Sequence, residues 1–110
     1  MFKVDENTYK ISMNEGDFGI ILNFVYETEE DSYFEFSVYD VESGKDDTVL
    51  LKKQIPNSSL ENNKIPLELT AEEASKIPKG NHCWKLVQLI DRELKNTLFI
   101  DKTFKVDKGG

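Results

Sequence analysis

The chain has 110 residues, enough to bury one core and too few for two, so residues 1–110 are read as a single domain. A formal charge of −7, from 21 acids against 14 bases, disfavours nucleic acid and anionic membranes as partners, because both are held mainly by Lys and Arg. The lone cysteine, Cys83, excludes an internal disulfide and points to a reducing or virion setting, while no apolar run approaches the ~20 residues that span a bilayer and MFKVDENTYK lacks the apolar stretch of a secretion signal.

Alternation of apolar and polar residues, which places successive side chains on opposite faces, marks strands along most of the chain. A first strand reads from about Tyr9 to Met13 and ends at NEGD, where Asn14 and Gly16 supply turn chemistry. A second follows at once: Phe18, Ile20, Leu22, Phe24 and Tyr26 are expected on one face against a core, with Ile21 and Val25 on the other. The acidic ETEEDS reads as a solvated loop. Its Glu27, Glu29, Glu30 and Asp31 offer oxygens enough for calcium but not the Asp-x-Asp-x-Asp-Gly spacing of a folded calcium loop.

The third strand, Tyr33 to Asp40, is expected to send Phe34, Phe36 and Val38 inward and Tyr33, Glu35, Ser37 and Tyr39 outward. After the turn VESGKDD, a fourth strand occupies about Thr48 to Ile55, and a fifth alternates Ile65, Leu67 and Leu69 with Lys64, Pro66 and Glu68. Pro66 donates no ladder bond, which assigns this strand to an edge or a bulge. LTAEEASKIPKG is the one helical signal: Thr70 and Glu73 form a capping box, and Pro78 and Gly80 stop the helix after a turn or two. A sixth strand, His82 to Ile90, and a seventh, Thr97 to Val106, are joined by DRELKN as a hairpin loop, with Trp84, Leu86, Leu98, Ile100, Phe104 and Val106 as the core choices. About seven short strands with regular turn signals and one short helical turn define an all-β, immunoglobulin-like Greek-key sandwich.

Catalytic signals are weak. His82 and Cys83, the sole histidine and cysteine, are adjacent in a strand, so alternation sends them to opposite faces and prevents a Cys–His pair. Two such neighbours fall short of a four-ligand zinc site, SGK at Ser43 to Lys45 lacks the glycines of a phosphate loop, and the carboxylates lie in acidic turns. No enzyme, cofactor or metal site is expected.

The segments ISMNEGDFGIILNF, LELTAEEASKIPKGNHCWKLVQLID and TLFIDKTFKV together resemble the N-terminal domain of phage baseplate upper proteins. That family opens with a strand, a Gly-Asp turn and a long apolar strand, then runs through a short helical segment and Pro-x-Gly to an aromatic strand and a final Lys-x-Phe-x-Val-like strand. It often carries aromatics where this chain has His82 and Cys83. The resemblance implies a non-catalytic structural or adaptor protein of a phage or prophage tail, baseplate or head-fibre assembly, located in the virion or the bacterial cytoplasm. Its partners would be other virion proteins or further copies of itself, not nucleic acid, membrane or a small molecule.

Grouping the third, sixth and seventh strands in one sheet gives a candidate protein interface: Tyr33, Tyr39, Val87, Leu89 and Phe99, with Cys83 among them, are expected on the face opposite the core. A register slip at a bulge is the competing expectation, because it would turn some of them inward. The alternative role is a bacterial cell-surface or carbohydrate-binding module, in which Tyr33 and Tyr39 would stack on sugar rings.

Overall fold

A computed structural model describes residues 2–25, 32–40, 48–56 and 64–108. Its strands are β1 (Lys3–Val4), β2 (Ile11–Asn14), β3 (Gly19–Val25), β4 (Ser32–Asp40), β5 (Thr48–Pro56), β6 (Lys64–Leu69), β7 (Gly80–Ile90) and β8 (Glu93–Asp107), with one helix, α1 (Ala71–Ser75), between β6 and β7. Among the described residues they form a six-stranded sheet in the order β1-β2-β8-β7-β4-β5 and a two-stranded sheet, β3-β6. The fold is an all-β sandwich, since both sheets contribute to one buried cluster. Ile11, Met13, Phe34, Phe36, Val38, Leu51, Ile55, Trp84, Leu86, Phe104 and Val106 come from the large sheet, and Ile21, Leu67 and Leu69 from the small one. No helix among the described residues is long and apolar enough to cross a membrane.

Several elements form where local chemistry dictates. The Thr70 hydroxyl accepts from the Glu73 amide at 3.1 Å and the Glu73 carboxylate accepts from the Thr70 amide at 2.9 Å, which satisfies two of the otherwise orphaned donors at the start of α1. The helix carries the chain from the small sheet to the large one and buries Ala74. Pro66 sits on β6, which pairs only with β3 among the described residues, as its missing donor requires. Lys53, on the core-facing side of β5, reaches the opposite layer: its ammonium donates to the Glu68 carbonyl at 2.7 Å and to Glu73 at 2.9 Å, tying the two sheets together at their open side.

Five expectations from the sequence are corrected. Tyr9 is not in a strand; it adopts a positive φ of 57° in the turn before β2, where Asp5 accepts from the Asn7 and Thr8 amides. The second strand turns its stripe the other way at its start, with Phe18 64% and Ile20 55% exposed while Ile21 is buried. A bulge between Ile20 and Leu22 inserts one residue against β6, and this breaks the alternation. The side chains of Leu22, Phe24 and Val25, and all of Tyr26, lie outside the described residues, as do the acidic segment 27–31 and the whole of VESGKDD with its SGK. DRELKN is not a loop: the strands run on to a two-residue turn at Asp91 and Arg92, whose φ values of 51° and 67° are those of a type I′ hairpin turn. Ile100 is 54% exposed, outside the core. Phe99 faces the core side, its ring 5.1 Å from that of Trp84 and 4.7 Å from that of Tyr9.

The last two corrections share one cause. From Ile90↔Glu93 to Gly80↔Val106, β7 advances ten residues while β8 advances thirteen, so β8 carries three extra residues, at the shifts Trp84/Leu86, Leu86/Val87 and Gln88/Leu89. Each extra residue reverses the inside–outside assignment beyond it.

Candidate functional site

The outer face of the six-stranded sheet is the surface on which most of the predicted interface residues converge. Cross-strand register places Pro56, Tyr33, Leu89 and Leu94 side by side across β5, β4, β7 and β8. The next row holds Gln54, Glu35, Val87 and Thr97, and the third Lys52, Ser37 and Lys85. Tyr33 and Leu89 are half-buried, whereas Leu94 is 62% exposed, the most open large apolar side chain on this face among the described residues. The patch is therefore an apolar row bordered by polar and charged residues, and Lys52 and Glu35 pair within that border at 3.4 Å. Leu94 escaped the sequence reading because it was placed in a loop; the type I′ turn puts it opposite Leu89.

The other predicted members divide. Val87 lies on this face but is buried to 9% exposure, and it serves as the floor beneath the row. Tyr39 is six residues from Tyr33, on the order of 20 Å along the strand, and only 2% exposed. Its hydroxyl donates to the Asp101 carboxylate at 2.5 Å and accepts from the Asp101 amide at 3.2 Å, while the Lys85 ammonium sits 5.6 Å from the ring centroid. Asp101 reaches it from the bulge of β8 opposite Trp84–Leu86, with a left-handed φ of 52°. Burial first, then the hydrogen bond to Asp101, pushes the Tyr39 phenol above the usual tyrosine range. Tyr39 is thus a locked internal phenol and not a platform for stacking, which removes one half of the Tyr33–Tyr39 pair. Phe99 leaves the face altogether for the core side.

A second grouping was not foreseen. Asp40, at the end of β4, hydrogen-bonds Nδ1 of His82, and Nε2 of His82 lies 2.6 Å from the Pro78 carbonyl oxygen. Tyr39↔Cys83 pairing puts Asp40 next in line with His82, so only the strand register could have revealed the pair. Asp40, Lys79, Gly80, Asn81, His82, Cys83 and Thr103 line a shallow open cleft there. An Asp–His pair beside a thiol invites a catalytic reading, yet a base needs a lone pair directed at its substrate. Here both ring nitrogens are engaged by acceptors, one of them a carbonyl that can only accept, and the imidazole side chain is 5% exposed. The pair acts as a clamp between the exit of α1 and the end of β4. Among the described residues, no group of three or more His, Cys, Asp or Glu side chains is arranged to hold a metal ion.

No family model matches this chain, and no curated protein or solved structure does.

Proposed function

We propose that the domain is a non-catalytic structural adaptor of a phage or prophage virion, joining tail, baseplate or head-fibre components through protein contacts. The observation that carries this reading is the apolar row Pro56–Tyr33–Leu89–Leu94 on the outer face of the six-stranded sheet, with Gln54, Glu35 and Thr97 in the row beside it. An apolar centre with a polar rim is the anatomy of a protein interface, and Glu35, Lys52, Gln54 and Lys85 supply such a rim. The segments that resemble the baseplate family fall on β2 and β3, on β6 through β7, and on β8. The strand order supports the finer immunoglobulin-like assignment, with β8-β7-β4-β5 in the places of strands G, F, C and C′ and β3-β6 in those of B and E. The engagement of both His82 nitrogens favours a role without catalysis.

The experiment is co-expression of the chain with the products of its neighbouring genes, followed by size-exclusion chromatography and calorimetric titration. A complex that forms with the parent chain and is lost with Leu94→Lys plus Tyr33→Lys, while the variant still melts cooperatively, supports the proposal. Failure of every neighbour to bind, or a complex indifferent to both substitutions, refutes it.

A further inference from the structure

The imidazole of His82 sits between two acceptors. Nδ1 is hydrogen-bonded to the Asp40 carboxylate, and Nε2 lies 2.6 Å from the Pro78 carbonyl oxygen. A neutral imidazole has one N–H and one bare lone pair, so beside an ionised Asp40 either tautomer sets a lone pair against an oxygen. With the ring only 5% exposed, that arrangement leaves a buried hydrogen bond unmade. Both contacts are satisfied together only when the site holds two protons, one on Nε2 and one between Nδ1 and Asp40. Of the charged and titratable groups described around the ring, β4 supplies Asp40, the α1–β7 connection the exposed Lys79, and β7 itself Cys83. On β8 the neighbours are Phe104 and Thr103, and Lys105 beyond them pairs with Asp107 at 3.5 Å, while Glu73 of α1 is turned to Lys53. Asp40 is thus the carboxylate that balances the second proton, and at 37% exposure it opens the pair to solvent through the cleft.

We propose that the Asp40–His82–Pro78 clamp is a proton-operated latch: it is closed while the site holds two protons, and it releases the Pro78 carbonyl, and with it the exit of α1, when the ring loses one. The proton that stays is the one on Nδ1, because its partner is a charged carboxylate and charge-assisted hydrogen bonds are the stronger ones. The lone pair then left on Nε2 repels the Pro78 oxygen. What moves is the short connection from α1 to β7. It is fastened by the Lys76 and Ile77 amides, which donate to the Glu73 and Ala74 carbonyls at 3.1 Å each, by the buried Ile77, and by Gly80, whose φ of 136° favours glycine. Because α1 carries the chain from the small sheet to the large one, opening the latch loosens that crossing at its large-sheet end. The latch is distant in role from the outer-face contact, and neither depends on the other.

His82 is the sole histidine, so nitrogen NMR of the imidazole reads its protons without ambiguity, and amide exchange followed over the same pH series tests the latch. Both ring nitrogens should carry protons wherever the Lys76 and Ile77 amides are protected. As the pH rises and the ring loses one proton, the protection factors of those two amides should fall at least about tenfold in the same step, while that of Leu86 in the core stays level. Asp40→Asn supplies the control. Its amide can turn either an N–H or its oxygen to Nδ1, so Nε2 keeps its proton for Pro78 in both states of the ring and the step should vanish. If this variant melts early, the titration of the parent decides alone. A parent ring that is neutral while Lys76 and Ile77 remain protected, a ring that titrates with no change at those amides, or an Asp40→Asn variant that folds and shows the parent's step would overturn the proposal.

Discussion

Replacing Trp84 by alanine tests whether the core is organised as described. Trp84 is fully buried, with ring centroids 5.8 Å from Phe36 and 5.1 Å from Phe99, and its Nε1 donates to the Tyr9 carbonyl at 3.0 Å. Truncating a buried Trp costs about 3–5 kcal/mol through lost transfer energy and the cavity left behind. Loss of the hydrogen bond adds about 1 kcal/mol and frees the strained turn at Tyr9. A domain of this size holds on the order of 5–15 kcal/mol in total. At about 4–8 °C per kcal/mol, the melting temperature should fall by about 12 °C or more. Trp84 is the sole tryptophan, so its fluorescence disappears with the substitution and the melt has to be followed by far-ultraviolet circular dichroism or calorimetry. Trp84→Phe keeps most of the ring and loses only the donor and some volume, and it should cost about 1–2 kcal/mol. If the alanine variant melts within about 4 °C of the parent, close to 1 kcal/mol, Trp84 does not hold the sandwich together and the packing argument fails.

Tyr39→Phe should cost about 1–2 kcal/mol at neutral pH. Because the folded phenol titrates above its unfolded value near 10, the parent's stability is intact below about pH 10 and declines as pH rises beyond it, a decline the Phe variant should lack in melts at pH 7 and 10.5. Desolvation raises the Glu73 carboxyl, but the Thr70 amide and Lys53 outweigh it and hold the group below the usual carboxylate range. Its contribution is therefore present above the unfolded value near 4.3 and lost as pH falls through the lower folded one; Glu73→Gln should cost about 1 kcal/mol at pH 7 and match the parent in acid. Phe99→Lys should lower the melting temperature, because the side chain packs on Trp84; an unchanged melt would return Phe99 to the outer face. Calcium or EDTA should leave the melting temperature within about 4 °C, and a larger rise with calcium would reveal a cage.

Strand identity was legible wherever the ladder is regular. Phe34, Phe36 and Val38 on β4, and Leu67 and Leu69 on β6, are buried as their alternation requires, and the Thr70–Glu73 box starts α1 where its spacing says. Legibility ended at insertions. Nothing in TLFIDKTFKV announces that β8 carries extra residues, yet they decide that Phe99 faces the core, Ile100 the solvent and Asp101 the phenol of Tyr39. The same held at Ile20 and Leu22 in β3. Of the predicted interface, Tyr33 and Leu89 meet because their strands are regular there, while Leu94 was hidden by a turn formed from Asp91 and Arg92 and not from the Asn-Gly that signals a type I′ hairpin. The Asp40–His82 clamp joins residues 42 positions apart, and only the β4–β7 register brings them together.

The pairing of β2 with β8 is the one parallel ladder among the described strands, with Ile11 opposite Phe104, Ser12 opposite Lys105, Met13 opposite Val106 and Asn14 opposite Asp107. A tensile force that pulls the chain ahead of Ile11 one way and the chain beyond Asp107 the other runs along both strands in opposite senses. The antiparallel β1 peels first, since its bonds are taken one at a time. The β2–β8 rungs are then loaded in shear and have to rupture together. Stretching between Ile11 and Asp107 is therefore resisted by the β2–β8 ladder as a whole and not rung by rung.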